Sequence, residues 1–229
     1  MVETIQILVR LFESRAGPGR SSLKKSLRIP LKQRRKFGRK DVQPPQVRLW
    51  RGLLWTSLEH FTLQHESTCK TLEGSIIGAM QRKPFKIHYR INCDLGWKTR
   101  RVEISATHGP VSKYLKIVVD QRNRWWQGPR ELTRFREARD IDINLTPSTN
   151  MLPINRLNLD VGESGEITTA WVQFPKMNIQ PARQTYKNLG HRTYAYTGGS
   201  FKTRIIVDRY GLVENYPPYW KKEAAASAH

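Results

Sequence analysis

The feature that most restricts the fold is the alternation of apolar and polar residues, repeated in short segments from about residue 50 onward. Alternation with a period of two places successive side chains on opposite faces of a β-strand, whereas an amphipathic helix needs apolar residues every three to four positions. Turn-forming residues such as Thr197-Gly198-Gly199 separate these segments at roughly ten-residue spacing. The pattern therefore predicts an all-β, antiparallel domain.

Thirteen segments have the length and alternation of strands. They are Leu54–Leu63, Thr71–Met80, Phe85–Cys93, Lys98–Thr107, Lys113–Asp120, Trp125–Gly128, Asp140–Leu145, Arg156–Leu159, Ile167–Phe174, Asn178–Leu189, His191–Tyr196, Phe201–Val207 and Leu212–Tyr216. A single helical turn is predicted over Pro147–Leu152, with Thr146 as its cap and Pro147 at the first helical position.

The composition supports one packed domain without a membrane helix. A hydrophobic fraction of 38%, with seven Trp, eight Tyr and seven Phe, supplies enough apolar surface for a core. No segment approaches eighteen consecutive apolar residues, so no transmembrane helix is predicted. The apolar run Ile7–Val9 is too short for a secretory signal peptide, and Arg10 interrupts it. We expect a cytoplasmic protein, with mitochondrion and nucleus as alternatives that depend on the basic N-terminus.

The net charge of +21 is concentrated near the N-terminus, where the first 50 residues hold 13 Lys and Arg against 3 Asp and Glu. Residues 1–46 contain too few apolar residues to fold alone, so a disordered basic extension is predicted. It is a plain tail or a start codon placed too early, a mitochondrial transit peptide, or an arm that binds an anionic surface or nucleic acid. Residues 47–222 are then the folded domain, and residues 223–229 an unstructured tail.

Cysteine and histidine usage gives no indication of a metal site. Cys69 and Cys93 are too few for a disulfide framework in a chain of this length, and both are expected to be free thiols. The six histidines do not pair with each other or with a cysteine at zinc-ligand spacing. No metal and no cofactor is therefore predicted.

In the segment Asp140–Leu145, acids and amides alternate with Ile and Leu, so the two sets face opposite sides of a strand. One interpretation is a core face and a solvated face; the other places Asp142 and Asn144 on the lining of a cavity. An unpaired charge is costly in an apolar environment. We therefore predict that Asp142 pairs with an arginine, either Arg100 or Arg156.

The next segment, Thr146-Pro-Ser-Thr-Asn150, carries three hydroxyls and an amide. Such side chains hydrogen-bond to nearby backbone and fix an irregular loop. The alternative is that Thr149 and Asn150 hydrogen-bond to sugar hydroxyls. Both interpretations stay open at the level of the sequence.

Several blocks, in the same order along the chain, resemble the putative glycolipid-binding family, formerly a domain of unknown function. The most specific block is DIDINLTPSTNMLPINRLNL over residues 140–159, which is similar to the family pattern DVDL-TP-TN-LPI-RL-L. The resemblance covers about residues 54–220. The other blocks are Ser57–His60, Thr71–Gly78, Tyr89–Val102, Gln184–Tyr186 and Asp208–Pro217.

The resemblance implies a strongly curved antiparallel sheet, a partly closed barrel or clam similar to the bacterial lipoprotein-localisation factors, which hold acyl chains in an apolar cavity. It implies that a glycolipid or related amphipathic molecule binds in such a cavity, with polar side chains at its mouth. The candidate lining residues are Glu59, Trp97, Arg100, Asp142, Asn144, Thr149, Asn150, Arg156, Tyr186 and Tyr216.

Two other functions stay open. A basic protein can bind nucleic acid, although the β region has no RNP-like aromatic motif and no helix-turn-helix. A hydrolase or lyase would need carboxylates that converge in the cavity, for example Glu59 with Asp142. No P-loop, Rossmann glycine pattern, HExxH or G-x-S-x-G motif is present, so an enzyme is the less expected class.

Overall fold

Residues 44–227, which the computed structural model describes, contain 15 strands, one short α-helix and two 3-10 turns. The helix, α1, spans Met151–Leu157, and the 3-10 turns span Thr133–Phe135 and Ser148–Asn150. The strands of the first half are β1 (Gln46–Gly52), β2 (Ser57–His65), β3 (Lys70–Met80), β4 (Lys83–Cys93), β5 (Thr99–His108), β6 (Val111–Val119), β7 (Trp125–Gln127) and β8 (Arg130–Glu131). Those of the second half are β9 (Asp140–Ile143), β10 (Ser164–Gln173), β11 (Asn178–Gly190), β12 (Thr193–Gly198), β13 (Phe201–Val207), β14 (Val213–Tyr216) and β15 (Trp220–Ser227).

All 15 strands belong to one curved, open sheet, in the order β8-β7-β6-β5-β4-β3-β2-β1-β15-β14-β13-β12-β11-β10-β9. Every neighbouring pair is antiparallel except β9 and β10, which run parallel. The predicted all-β class is confirmed. Strands β1 to β8 and β10 to β15 form two meanders with short connections, whereas helix α1 lies between β9 and β10. The β3–β4 and β11–β12 turns pass through Gln81-Arg82 and His191-Arg192, all with positive φ. Two consecutive residues of this conformation match the twist of the flanking strands.

Strand β1 was not among the predicted strands. Its inward positions hold Gln46, Arg48, Trp50 and Gly52, and all four are buried. Arg48 is paired with Asp208, so a cation occupies a position where alternation analysis expects an apolar side chain. Polar residues on the buried face therefore conceal the period of two.

The predicted strand Arg156–Leu159 is wrong, because this part of the chain ends helix α1. Asn158 follows the helix with φ 46° and donates its backbone N–H to the Ile154 carbonyl at 3.2 Å. A left-handed residue at this position is a common helix C-cap, and Asn tolerates it better than most residues. The predicted helical turn was therefore right in kind but too short.

The predicted unstructured tail is also corrected, since β15 extends to Ser227. Residues Ala224 to Ser227 pair with Leu49 to Gln46 of β1. Alanine runs have no strand signature, and this strand forms because a partner edge is available. Residues 1–43 of the predicted basic extension lie outside the residues that the structure describes. No helix within residues 44–227 is long and apolar enough to cross a bilayer.

The core consists of two clusters on either side of the connection between β9 and α1. The larger cluster packs the first half against β9 and β10, with Phe61, Tyr89 and Ile141 fully buried. The smaller cluster lies within the second half and is built around Tyr186 and Tyr216. Met151 and Leu152 of α1 join the larger cluster, whereas Ile154 joins the smaller one. The helix and the residues before it thus lie between two packed layers.

Candidate functional site

The segment Thr146–Asn150 contributes side chains to two hydrogen-bonded groups of polar residues. Thr146 accepts a hydrogen bond from the Ser148 backbone N–H at 3.0 Å, but the 3-10 turn begins at Ser148, so Pro147 and not the predicted Thr146 is its N-cap residue. The four polar side chains of this segment are all buried. Thr146 and Ser148 contact residues of the first half, whereas Thr149 and Asn150 contact residues of the second half.

The first group surrounds Glu59 on β2, which is 2% exposed. Tyr89 donates to Glu59 Oε1 at 2.5 Å, and Thr146 donates to the same oxygen at 2.8 Å. Ser148 Oγ lies 2.6 Å from the Tyr89 hydroxyl oxygen. A methyl group at Gly74 on β3 would collide with the Tyr89 ring, so glycine at this position lets the ring lie across the strand.

Glu59 is an uncharged acid at neutral pH. Burial raises the pKa of its carboxyl from 4.5 to about 8, and the hydrogen bonds from Tyr89 and Thr146 only partly oppose this. Its second oxygen, Oε2, is buried and has no hydrogen-bond partner in the described part of the chain. A buried polar atom without a partner costs free energy, and such atoms are rare in folded proteins.

The second group surrounds Asp142 on β9, which is half-buried. Thr149 donates to Asp142 Oδ1 at 2.9 Å, and Gln184 on β11 donates to Oδ2 at 2.7 Å. The Tyr186 hydroxyl donates to Asn150 Oδ1 at 2.9 Å. Burial raises the pKa of Asp142, although both hydrogen bonds oppose the rise. The prediction that Asp142 pairs with an arginine is therefore wrong: its partners are neutral.

A half-exposed tryptophan lies beside Asp142 on the same face of the sheet. Trp171 on β10 is in register with Asp142 on β9 and with Gln180 on β11. Residues in register on neighbouring strands project to one face and are within reach of each other. Unlike most aromatic residues of this chain, Trp171 packs against neither core cluster. We call Asp142, Trp171, Gln180 and Gln184 the Trp171 platform.

Aromatic side chains continue from this platform along the second half. Gln184 is in register with Gly198 on β12, which is in register with Phe201 on β13. Phe201 and Tyr219 are half-buried, with ring centroids 5.0 Å apart. Trp55, in the β1–β2 loop, follows at 5.9 Å from Tyr219. A polar platform is thus continuous with an aromatic surface.

A buried ion pair fixes α1 to the same strand as Asp142. Arg156 donates through two nitrogens to Asp140, at 3.0 and 2.6 Å, and the Asp140 side chain is fully buried. This two-nitrogen geometry is the strongest form of an arginine–carboxylate contact. Arg156 therefore serves Asp140, and it is not available to Asp142.

A comparison with known families agrees with this architecture. The sequence profile described as "Putative glycolipid-binding" matches residues 47–222. The chain belongs to the putative glycolipid-binding family. Its fold is similar to the crystal structure of a DUF1089 family protein from Pseudomonas aeruginosa, with 30% sequence identity and a TM-score of 0.66. That match covers 72% of this chain and 91% of the Pseudomonas protein. No curated protein shows detectable similarity to the chain.

In this member of the putative glycolipid-binding family, about half of the predicted lining residues converge. Asp142, Thr149, Asn150 and Tyr186 form one hydrogen-bonded group, and Tyr216 adjoins it through Tyr196, with ring centroids 5.9 Å apart. Burial raises the pKa of all three tyrosines of this region, so their hydroxyls stay protonated donors.

Three other predicted lining residues lie elsewhere and have structural partners. Arg100 is paired with Asp94 at 2.7 Å. Asn144 bridges the backbone N–H and carbonyl of Phe174, at 2.9 and 3.3 Å. Trp97 lies at the β4–β5 turn under the Lys70 ammonium, 4.5 Å from the ring centroid. Their side chains are absent from both polar groups.

Sequence reasoning missed Trp171 and Gln184 as site residues. Trp171 is one of the seven tryptophans of the composition, and its register with Asp142 depends on a parallel pairing that no local pattern indicates. Gln184 was noted only within a block of family resemblance. Their residue types were a signal, because Trp171 is amphipathic and Gln184 is polar. The structure places both on the sheet face that carries Asp142.

Two depressions on the surface lie away from these groups. One, of about 180 Å³, is lined by Phe174, His108 and Lys113 among others. The other, of about 340 Å³, is lined by charged and amide side chains that include Arg90 and Glu103. Neither matches the apolar cavity expected from the resemblance. Within residues 44–227, no cluster of three His, Cys, Asp or Glu side chains has metal-site geometry.

Proposed function

We propose that the protein binds the sugar head of a glycolipid, or of a related uncharged amphiphile, at the Trp171 platform. The observation that supports this best is the register of half-exposed Trp171 between Asp142 and Gln180. An aromatic face offers apolar contact area, while a carboxylate and amides beside it orient hydroxyl groups. This combination suits a ligand that is apolar on one side and rich in hydroxyls at its edge.

Electrostatics favour an uncharged head group over a phosphate. Asp142 has only neutral hydrogen-bond partners, and the nearest arginine of α1 is taken by Asp140. A phosphate would gain no charge-assisted contact from these neutral partners, whereas a sugar hydroxyl can hydrogen-bond to the carboxyl and to the amides beside it. The local site therefore does not supply the anionic preference that the net charge of +21 suggested.

The apolar part of the ligand would follow the aromatic surface that begins at Phe201. This surface adjoins the platform at Gly198, over which the Tyr196 ring packs: a methyl group at Gly198 would lie 2.6 Å from the Tyr196 hydroxyl. Phe201 and Tyr219 are half-buried, and their rings offer apolar contact area that needs no hydrogen bond from a ligand. A lipid chain would thus lie on the sheet, and an enclosed cavity is not needed.

The test is a titration with decyl maltoside below its micellar concentration, measured by calorimetry on the full chain. We expect Trp171→Ala to weaken binding about three- to tenfold, which corresponds to the loss of one aromatic contact. Trp126→Ala is the matched control, because Trp126 is also half-exposed but lies on β7 against Arg124. Decyl phosphate should bind the wild type more weakly than decyl maltoside. Unchanged affinity in Trp171→Ala would overturn the proposed function.

The two alternative functions stay predictions. The nucleic-acid hypothesis depended largely on residues 1–46, most of which lie outside the described range. The hydrolase hypothesis needs an acid and a base that face one accessible cleft, and Glu59 is 2% exposed. No observation on residues 44–227 favours either over binding.

A further inference from the structure

We propose that the outer face of strands β1 to β4 docks on the surface of an anionic lipid bilayer, through two exposed apolar side chains that lie between cations. The inference goes beyond the proposed function, because it concerns the surface on which the protein meets a membrane and not the head group that it binds. Four residues define this surface, Arg51, Leu58, Ile77 and Lys86, and we call them the Leu58–Ile77 row.

The residues of the Leu58–Ile77 row lie side by side on four neighbouring strands. Leu58 on β2 is in register with Arg51 on β1 and with Ile77 on β3. Ile77 is in turn in register with Lys86 on β4. Residues in register project to one face of a sheet, with strands about 5 Å apart. The residue before each of the four is buried, so the row lies on the face opposite the core.

The two central side chains of the row are apolar and open to solvent. Leu58 is 41% exposed and Ile77 is 57% exposed, although strands usually bury such side chains. Leu53 and Leu54, in the loop that follows β1, are exposed as well. The sheet curves around the core on its other face, so this outer face is convex and offers no groove for a peptide or a helix. Clustered apolar side chains on such a face indicate an interaction surface.

Cations lie on both sides of the apolar pair. Lys86 adjoins Ile77, and Lys221 on β15 is in register with Arg51, so the series of cations continues across the contact between β1 and β15. Arg51 is paired with Glu223 at 2.8 Å, whereas Lys86 and Lys221 form no ion pair with another described residue. A lysine stem can lie along apolar surface while its ammonium group reaches a phosphate. The two lysines are therefore available to an anionic partner.

The charge pattern differs four positions farther along the same strands. There, Arg90 on β4 pairs with Glu73 on β3 at 2.7 Å. On the adjacent strands, Arg101 and Lys116 share Glu103, at 2.7 and 3.6 Å. These cations are neutralised by acids on the same face of the sheet. Uncompensated lysines and exposed apolar area thus coincide at the strand ends next to the β1–β2 loop.

This combination fits the surface of an anionic bilayer. Apolar side chains enter the head-group region, and each lysine or arginine beside it adds attraction to anionic lipids. A soluble anion would contact the lysines but would leave Leu58 and Ile77 in water. A bilayer is also where a lipid with a long apolar chain resides, and the aromatic surface that begins at Phe201 reaches Trp55 in the same β1–β2 loop. Docking by this face would bring that surface to the membrane.

The first test is flotation of the full chain with vesicles of phosphatidylcholine alone or in equal mixture with phosphatidylglycerol. We expect binding to the mixed vesicles only, and weaker binding as the salt concentration rises. Lys86→Ala should weaken this binding about fivefold, the effect of one lysine near an anionic surface. Lys98→Ala is the matched control, because Lys98 is also exposed but lies in the β4–β5 turn, at the opposite end of β4.

A local measurement separates this face from the basic segment before residue 44, which could bind anionic vesicles through its charge alone. An environment-sensitive fluorophore is attached to Ile77→Cys in a Cys69→Ser background, in which the remaining Cys93 is buried. The control carries the same fluorophore at Val118→Cys, because Val118 is 42% exposed on the same face but at the other end of the strands. Mixed vesicles should shift the emission to the blue at position 77 and not at position 118.

Three results would overturn the inference. The first is absence of binding to the mixed vesicles, and the second is binding without a blue shift at position 77 or with equal weakening by Lys86→Ala and Lys98→Ala. The third is a vesicle-independent dimer that Ile77→Ser dissociates in sedimentation velocity, which would assign the face to a second copy of the chain. These vesicles contain no sugar lipid, so the outcome is independent of the Trp171 platform. Maltoside binding can fail while docking stands, and the reverse.

Discussion

At the scale of the residue, Glu59 shows how a carboxyl can be buried without a cation. Two hydroxyl donors, from Tyr89 and Thr146, converge on one of its oxygens. Neutral donors do not compensate for burial of a full charge, so the carboxyl keeps its proton at neutral pH.

This protonation makes stability depend on pH. The pKa of Glu59 rises from 4.5 to about 8 in the folded protein, so between these values the native state holds a proton that the unfolded chain has released. The contribution of Glu59 to stability should then fall by about 1.4 kcal/mol per pH unit from pH 4.5 to pH 8, and level off above it.

We expect Glu59→Gln to remove this fall, because the amide keeps an acceptor for Tyr89 and Thr146 without a titrating group. Urea denaturation of wild type and variant at pH 5, 6.5 and 8 measures it. As the pH rises, the difference in the free energy of unfolding between the two proteins should change in favour of the variant. Parallel stability curves for the two proteins would mean that Glu59 titrates normally.

At the scale of the element, the short helix α1 is tied to β9 mainly by the Asp140–Arg156 pair. Burial raises the pKa of Asp140 even though Arg156 opposes this, so the carboxylate depends on its partner for charge compensation. The helix has only seven residues, and a helix this short is marginal alone in water. Tertiary contacts therefore determine its position.

We expect Arg156→Ala to destabilise the protein by about 3–5 kcal/mol, because it leaves a buried carboxylate without its cation. The matched control is Arg136→Ala, whose partner is Glu131 and whose side chain is 65% exposed. That change should cost less than about 1 kcal/mol. Equal losses in the two variants, measured by urea denaturation at pH 7, would contradict a stabilising role for the buried pair.

At the scale of the whole molecule, the two meanders become one sheet only where β1 meets β15. The two ends of the folded chain supply these strands, so the contact has high sequence separation. Residues Ala224 to Ala226 contribute backbone hydrogen bonds and little side-chain packing, because their side chains are exposed. This end of the seam is therefore held largely by main-chain pairing, whereas Arg51 of β1 and Glu223 of β15 form an ion pair farther along it.

We expect removal of residues 224–229 to destabilise the protein by about 2–4 kcal/mol, the net value of a few backbone hydrogen bonds. Faster hydrogen exchange should be confined to Gln46 to Leu49, which lose a neighbour on one side but keep β2 on the other. Removal of residues 228–229 alone is the control. Unchanged exchange in the longer truncation would show that the seam does not depend on the last four residues of β15.

Sequence determined the fold class because alternation with a period of two is a local property of each segment. Strand β13 has the predicted bounds, Phe201–Val207, and most other strands differ by a few residues at each end. The helical turn after Thr146 is also local and was predicted, although it begins one residue later than expected. Asp142 was correctly singled out as a polar residue that needs partners inside the fold.

Tertiary structure decided which partners these residues have. Asp142 accepts a hydrogen bond from Gln184, which is 42 residues away in the chain. Arg156 pairs with Asp140, two residues before Asp142 on the same strand. β1 and β15 carry polar or alanine-rich sequences that become strands because neighbouring strands provide them with an edge, β2 and β15 for β1, and β1 and β14 for β15. Charge pairing and edge pairing depend on which segments meet in space, and this information is not contained in the periodicity of any single segment.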